Sequence, residues 1–134
     1  MNKSKLDEIF NAYFNGKLDF SEMLTLNITN NINTISVGSR QVVKCSSNLK
    51  RIHSFLNLFI FDLLEIQTDC VFSYRKNVNV VDAIRPHSNN KFILKTDIKN
   101  FFPSITRMSI YECINRQIEA LPFSDLCDYL DKIC

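Results

Sequence analysis

Glycine and proline are scarce in this chain: Gly16 and Gly38 are its two glycines, and Pro86, Pro103 and Pro122 its three prolines, among 134 residues. Collagen-like and low-complexity architectures need both residues in bulk and are excluded. Long hydrophobic runs are missing as well. The longest, Leu58 to Phe61, is far short of the roughly 18 residues a membrane span requires, so no membrane anchor is expected. Cysteines are present but not paired. Cys45, Cys70, Cys113, Cys127 and Cys134 are odd in number, widely spaced and without a Cys-x-x-Cys, which argues against a disulfide framework or a zinc site. At the N-terminus Asp7 and Glu8 follow Lys3 and Lys5 with no apolar stretch behind them. That is not a secretory signal, and a cytosolic protein is expected.

Apolar mass, by contrast, is ample: 46% of residues are hydrophobic, including eleven Phe and four Tyr. A chain of this length suits one domain or part of one and buries about two-thirds of its unfolded surface, enough for a core. The net charge of +2 hides a pattern. Residues 1–22 hold three Lys and four acids, residues 23–107 eleven Lys/Arg and five acids, and residues 108–134 two Lys/Arg and five acids. No Asp or Glu occurs from Met23 to Phe61, where Arg40, Lys44, Lys50 and Arg51 fall; Arg75, Lys76, Arg85, Lys91, Lys95, Lys99 and Arg107 follow. Such a zone attracts a polyphosphate by releasing counterions; a solvated basic face without a partner is the plainer reading.

Leu6, Ile9, Phe10, Tyr13 and Phe14 have helical spacing, and Asn15-Gly16 closes that helix. Asn27 to Asn33 reads as loop, followed by a β-hairpin of residues 32–37 and 40–45 turning at Gly38-Ser39. Ser46 or Ser47 caps a helix whose stripe runs from Leu49 through Ile52, Leu56, Phe59 and Ile60 to Leu63. Asn77 or Asn79 caps another over Val80 to Ile84, stopped near Pro86. Lys91 to Asp97 reads as a strand with Asp97 at its C-terminal end on the more polar side. Met108, Tyr111, Ile114 and Ile118 predict a further helix, and Ser124 opens a last one over Leu126, Tyr129, Leu130 and Ile133.

The run Asp97-Ile98-Lys99-Asn100-Phe101-Phe102-Pro103-Ser104-Ile105 stands out physically. A lone carboxylate ends the expected strand, two bulky aromatics follow at the turn, and Pro103 cannot continue a ladder. On residue chemistry alone the favoured reading is that Phe101 and Phe102 anchor the turn to the core while Asp97 caps the next helix, since aromatics are core residues more often than contacts.

This run resembles the first catalytic motif of the retron-type and group II intron-like bacterial reverse transcriptases. Tyr74-Arg75-Lys76, Asn77 to Ala83, His87 and Lys91 to Thr96 are similar to the segment leading into that motif. Arg40 through Leu49-Lys50-Arg51-Ile52-His53 is similar to the fingers motif, an Arg on a hairpin followed by a long helix. The resemblance spans roughly residues 28–118 and implies an α+β fold: the helix-rich N-terminal part of a right-hand polymerase, fingers plus the first palm strand and helix, with the palm incomplete. It implies residues 1–30 as an N-terminal helical extension, 31–96 as fingers and 97–134 as the beginning of the palm.

It also implies roles. Asp97 would be the catalytic carboxylate for two Mg²⁺ ions, hard cations that take oxygen ligands, with the Ile98 backbone carbonyl as a further ligand. Lys99, Asn100, Phe101 and Phe102 would pass beneath an incoming deoxynucleoside triphosphate, and Phe102 would act as a steric gate against a ribose 2′-hydroxyl. Arg40 would grip the triphosphate, as a planar bidentate donor suits phosphate oxygens. Lys44, Lys50, Arg51, Arg75 and Lys76 would hold an RNA template or RNA–DNA duplex through its backbone. The implied setting is the bacterial cytoplasm, often a retron in anti-phage defence. Two departures bear on activity. Residues 27–37 contain no Lys or Arg, and the family's Tyr-x-Asp-Asp motif has no counterpart, because no Asp-Asp pair occurs anywhere. The chain alone is therefore expected to be inactive, the remainder of the polymerase being supplied by further sequence or another chain. A non-catalytic nucleic-acid-binding or scaffolding module is the competing expectation, and a small helical partner protein with chance similarity a third.

Overall fold

The computed structural model describes residues 3–134; Met1 and Asn2 of the N-terminal sequence lie outside it. It combines helices with a small two-stranded sheet, a mixed α and β architecture. The chain divides into two compact units, residues 1–64 with 107–134 and residues 65–106, whereas the expected segments follow motif order.

In the first unit, helix α1 (Leu6–Phe14) buries Leu6, Phe10 and Phe14, four residues apart on one stripe. It stops where Asn15 (φ 48°) and Gly16 (φ 71°) turn left-handed, as expected. Lys5 offers no side-chain cap. The acceptor comes instead from far along the chain, where Asp125 Oδ1 takes the Leu6 N–H at 2.9 Å. Beside it, the Ser4 N–H donates to the Pro122 carbonyl at 2.9 Å and the Ser124 N–H to the Ser4 carbonyl at 3.0 Å. Helix α2 (Phe20–Thr25) follows, capped by Asp19.

Strands β1 (Ile32–Val37) and β2 (Arg40–Cys45) pair antiparallel with Val37 opposite Arg40. Only Gly38 of the two turn residues has positive φ, 61°, the pattern of a II′ hairpin turn. Helix α3 (Ser47–Phe59) is capped by Ser46, whose hydroxyl oxygen accepts from the Leu49 N–H at 3.2 Å. The helix was expected to reach Leu63. It breaks at Ile60 (φ −120°, ψ −64°) into a 3₁₀ turn over Phe61–Leu63; the kink seats Ile60 fully in the core, with Phe61 and Leu64 packed against it.

Four further α-helices belong to the sequence after residue 79. In the second unit, α4 (Val80–Ile84) starts at Asn79, which forms a reciprocal capping box with Asp82; α5 (Phe101–Ser104) is a single turn. Back in the first unit, α6 (Arg107–Asn115) ends before the expected Ile118, which starts a 3₁₀ turn of its own. Helix α7 (Leu126–Ile133) closes the chain.

The first unit's core joins α1, α2, α3, α6 and α7 through Phe10, Phe20, Phe55, Ile114, Leu126 and Leu130, with Ile60 after α3 and Leu121 and Phe123 from the segment between α6 and α7. The second unit has no fully buried residue. Its loop is shaped by Arg75, whose Nη1 donates to the carbonyls of Thr68 and Val71, both at 2.8 Å. The strand expected over Lys91 to Asp97 is not formed: residues 92–98 have no ladder partner, the sole sheet among the described residues being β1–β2. An extended segment becomes a strand only when a neighbour pairs its N–H and C=O groups, and alternation in sequence cannot supply one.

Phe55→Ala is expected to cost about 3–5 kcal/mol and Asp125→Ala about 1 kcal/mol, the usual loss of a helix cap. Phe92→Ala, at a residue 91% exposed, should change stability by less than about 0.5 kcal/mol. Denaturant unfolding followed by circular dichroism measures all three.

Candidate functional site

In the 65–106 unit, the segment from Asp97 to Ile105 is exposed throughout. Asn100 takes the left-handed conformation (φ 57°, ψ 39°) at the N-cap of α5 without a side-chain capping bond. Its carbonyl instead accepts the Ser104 N–H at 3.0 Å and the Ser104 hydroxyl at 2.8 Å. Pro103 is tolerated because its missing N–H falls in the first helical turn, where such donors are unpaired anyway. Asp97 does not cap this helix. Its carboxylate has no hydrogen bond or ion pair to any described residue, and Ile98 beside it is 66% exposed.

Phe101 and Phe102 do not anchor the turn either. They are 48% and 64% exposed, and their rings meet each other edge to face at 5.3 Å. The expectation that the turn is a structural anchor is thus overturned on both counts: the aromatics are unburied and the acid caps nothing. A sharp left-handed corner instead holds one acid, one lysine and two rings toward solvent.

In the other unit, the hairpin presents a second group. Arg40, Val42 and Lys44 share one face of β2 by strand alternation, opposite Val37, Ile35 and Asn33 of β1. Neither Arg40 nor Lys44 makes a side-chain bond to a described residue. Lys50 and Arg51 lie in the first turns of α3, Lys50 exposed and Arg51 half-buried. Arginine count alone could not rank these cations, but their partners do. Arg75 is tied to Thr68 and Val71, Arg85 to Asp82, Arg107 to Asp131 and Arg116 to the Glu112 carbonyl. Arg40 and Arg51 have no such bond among the described residues.

Metal chemistry finds no complete donor set. Among the described residues no group of three or more His, Cys, Asp or Glu converges, and a single Asp97 cannot hold two divalent ions. In the other unit, Asp125 caps α1 and Asp131 pairs with Arg107 at 3.3 Å. Among the described residues no helix is long and apolar enough to cross a membrane.

All five cysteines are free thiols, Cys70, Cys113 and Cys127 exposed and Cys45 and Cys134 half-buried. Burial pushes the Cys134 thiol up and Asp131 adds to this, against the opposing charge of Arg107. A thiolate is the nucleophile, so a raised thiol needs higher pH to react. Alkylation at neutral pH followed by peptide mass spectrometry should label the three exposed cysteines well before Cys134; Cys134 reacting first would contradict this ordering. No family model matches the chain, and no solved structure matches it.

Proposed function

We propose that this chain carries the fingers and the first catalytic motif of a reverse transcriptase of the retron or group II intron-like kind, acting in the bacterial cytoplasm on an RNA template. The observation that carries the reading is the Asp97 to Phe102 corner: an acid without a partner and two exposed rings held on a left-handed turn, none of them used by the fold. Residues with no structural job that nonetheless occupy a constrained corner are candidates for contact with a ligand.

In this reading Asp97 is a metal-facing carboxylate, Phe102 lies under the sugar of a deoxynucleotide, and Arg40 takes the triphosphate. The residues present do not complete a site for two Mg²⁺ ions, so no chemical step is assigned to this chain by itself; the further carboxylates come from additional sequence or another chain. Arg75, expected to contact the duplex, has one end of its guanidinium committed to the 65–79 loop, so its first role is to shape that loop. A binding module without catalysis is the second reading, favoured by the solitary carboxylate.

The test is primer extension on an RNA template by the enzyme in which this chain is joined to the segment bearing the missing carboxylates. Asp97→Asn should lower extension by more than about 100-fold, beyond the 10–100-fold range of residues that only support a ligand, while RNA affinity is kept. Unchanged synthesis would overturn the metal role. Phe102→Ala should admit ribonucleotides while leaving the fold intact, since the ring is not in the core; undiminished preference for deoxynucleotides would remove the gate.

A further inference from the structure

A second cationic site joins Arg51, from the acid-free stretch, to Lys17, from the net acidic N-terminal segment, between the C-terminal end of α1 and the first half of α3. Tyr13, Phe14, Asn15, Lys17, Arg51 and Ser54 line an open cleft of about 350 Å³, at the small end of the roughly 300–1,000 Å³ range of ligand pockets. No acid lines it. Arg51 stacks its guanidinium over the Phe14 ring at 5.2 Å, and that ring is buried. The contact holds the cation in place while its N–H groups make no hydrogen bond to a described residue, so the arginine gives up less freedom on gripping an anion.

Lys17 supplies a second, exposed cation with no ion pair among the described residues, placed there by the left-handed Asn15-Gly16 corner that ends α1. Tyr13 forms a firm wall, its ring held against Phe14, Phe55 and Phe59 at 4.9–5.6 Å. Ser54 already donates its hydroxyl to the Lys50 carbonyl at 3.0 Å, so the charged donors lining the cleft are those of Arg51 and Lys17, beside the polar Tyr13 hydroxyl and Asn15 amide. Lys50 lies one residue before Arg51 on α3, and no acid occurs from Met23 to Phe61.

We propose that this cleft binds a backbone phosphate of a single-stranded nucleic acid, with Arg51 and Lys17 on the phosphate oxygens and the strand continuing along the Lys50 side of α3. The proposal rests on the reading of the chain as nucleic-acid-binding. It adds the end of α1, from the acidic N-terminal segment, to that surface. An open cleft lined by two cations suits one phosphodiester of a longer strand better than a free anion, because neighbouring phosphates then meet Lys50.

The experiment is fluorescence anisotropy of a labelled single-stranded RNA with the full chain across a salt series, comparing wild type, the Lys17→Ala/Arg51→Ala double variant and Lys132→Ala. The double variant should bind about tenfold more weakly, the loss expected for a charge-assisted contact, and its log K against log salt slope should be smaller by about one. Lys132→Ala, outside the cleft, should match wild type, and equal melting temperatures show that the double variant folds. A double variant with wild-type affinity and slope overturns the cleft while leaving the nucleic-acid reading intact. Wild-type protein that binds no RNA overturns that reading and the cleft with it. Inorganic phosphate that displaces no RNA at concentrations matching the strand's phosphates supports a backbone site; phosphate that binds as tightly as the strand overturns it in favour of a free-anion site.

Discussion

The folded unit turns on Phe10. Its ring touches Phe14 at 4.5 Å, Phe55 at 4.8 Å and Phe20 at 5.5 Å, joining α1, α2 and α3 in one aromatic cluster that α7 enters through Tyr129 against Phe20 at 5.0 Å. Tilted and edge-to-face rings at such distances add to the burial they already provide. The cluster also explains why residues at opposite ends of the sequence meet. Once Phe10 is buried, the first turn of α1 stands beside residues 122–125, and Asp125 and the Ser4 exchange satisfy backbone groups that would otherwise be left without partners.

The same cluster has a consequence at the surface. Phe14, buried by its neighbours, becomes the floor on which Arg51 lies, so an apolar packing decision fixes the position of a cation. Residues 65–106 have no comparable anchor. Phe92, Leu94, Val80 and Tyr74 are each more than 70% exposed, and order there comes from polar devices: the Asn79–Asp82 capping box and the two carbonyl contacts of Arg75. Such bonds fix local turns but contribute little net stability each, which places this unit at the low end of local stability.

Legibility in the sequence followed the range of the forces involved. The Gly38-Ser39 turn and the Asn15-Gly16 stop are set within four residues and were readable in place, while the caps were readable to one of two neighbours, Ser46 or Ser47 and Asn77 or Asn79, of which Ser46 and Asn79 do the capping. What was not readable depended on distant partners. Lys91 to Asp97 has strand alternation, yet a strand needs an edge to pair with, and alternation carries no information on whether one exists. Ser124 was expected to open α7, yet Asp125 holds the N-cap position and makes no side-chain cap there, its carboxylate being spent on α1. The Asp97 to Phe102 corner was visible as an anomaly of residue types; that its rings are exposed and its acid unused was not, because burial is a property of the whole packing.

Charge was the least legible quantity, and for the same reason. Counting assigned Lys17 to an acidic segment and treated the arginines alike. Folding sorts them by what lies within reach: Asp82 takes Arg85 and Asp131 takes Arg107, backbone carbonyls take Arg75 and Arg116, and Arg40 and Arg51 remain because no acid occurs between Met23 and Phe61 to meet them. An acid-free stretch therefore does more than raise net charge. It leaves specific guanidinium groups uncommitted, one on the hairpin and one on a stacked aromatic floor, and only uncommitted donors can recognise a phosphate without first breaking a bond inside the protein.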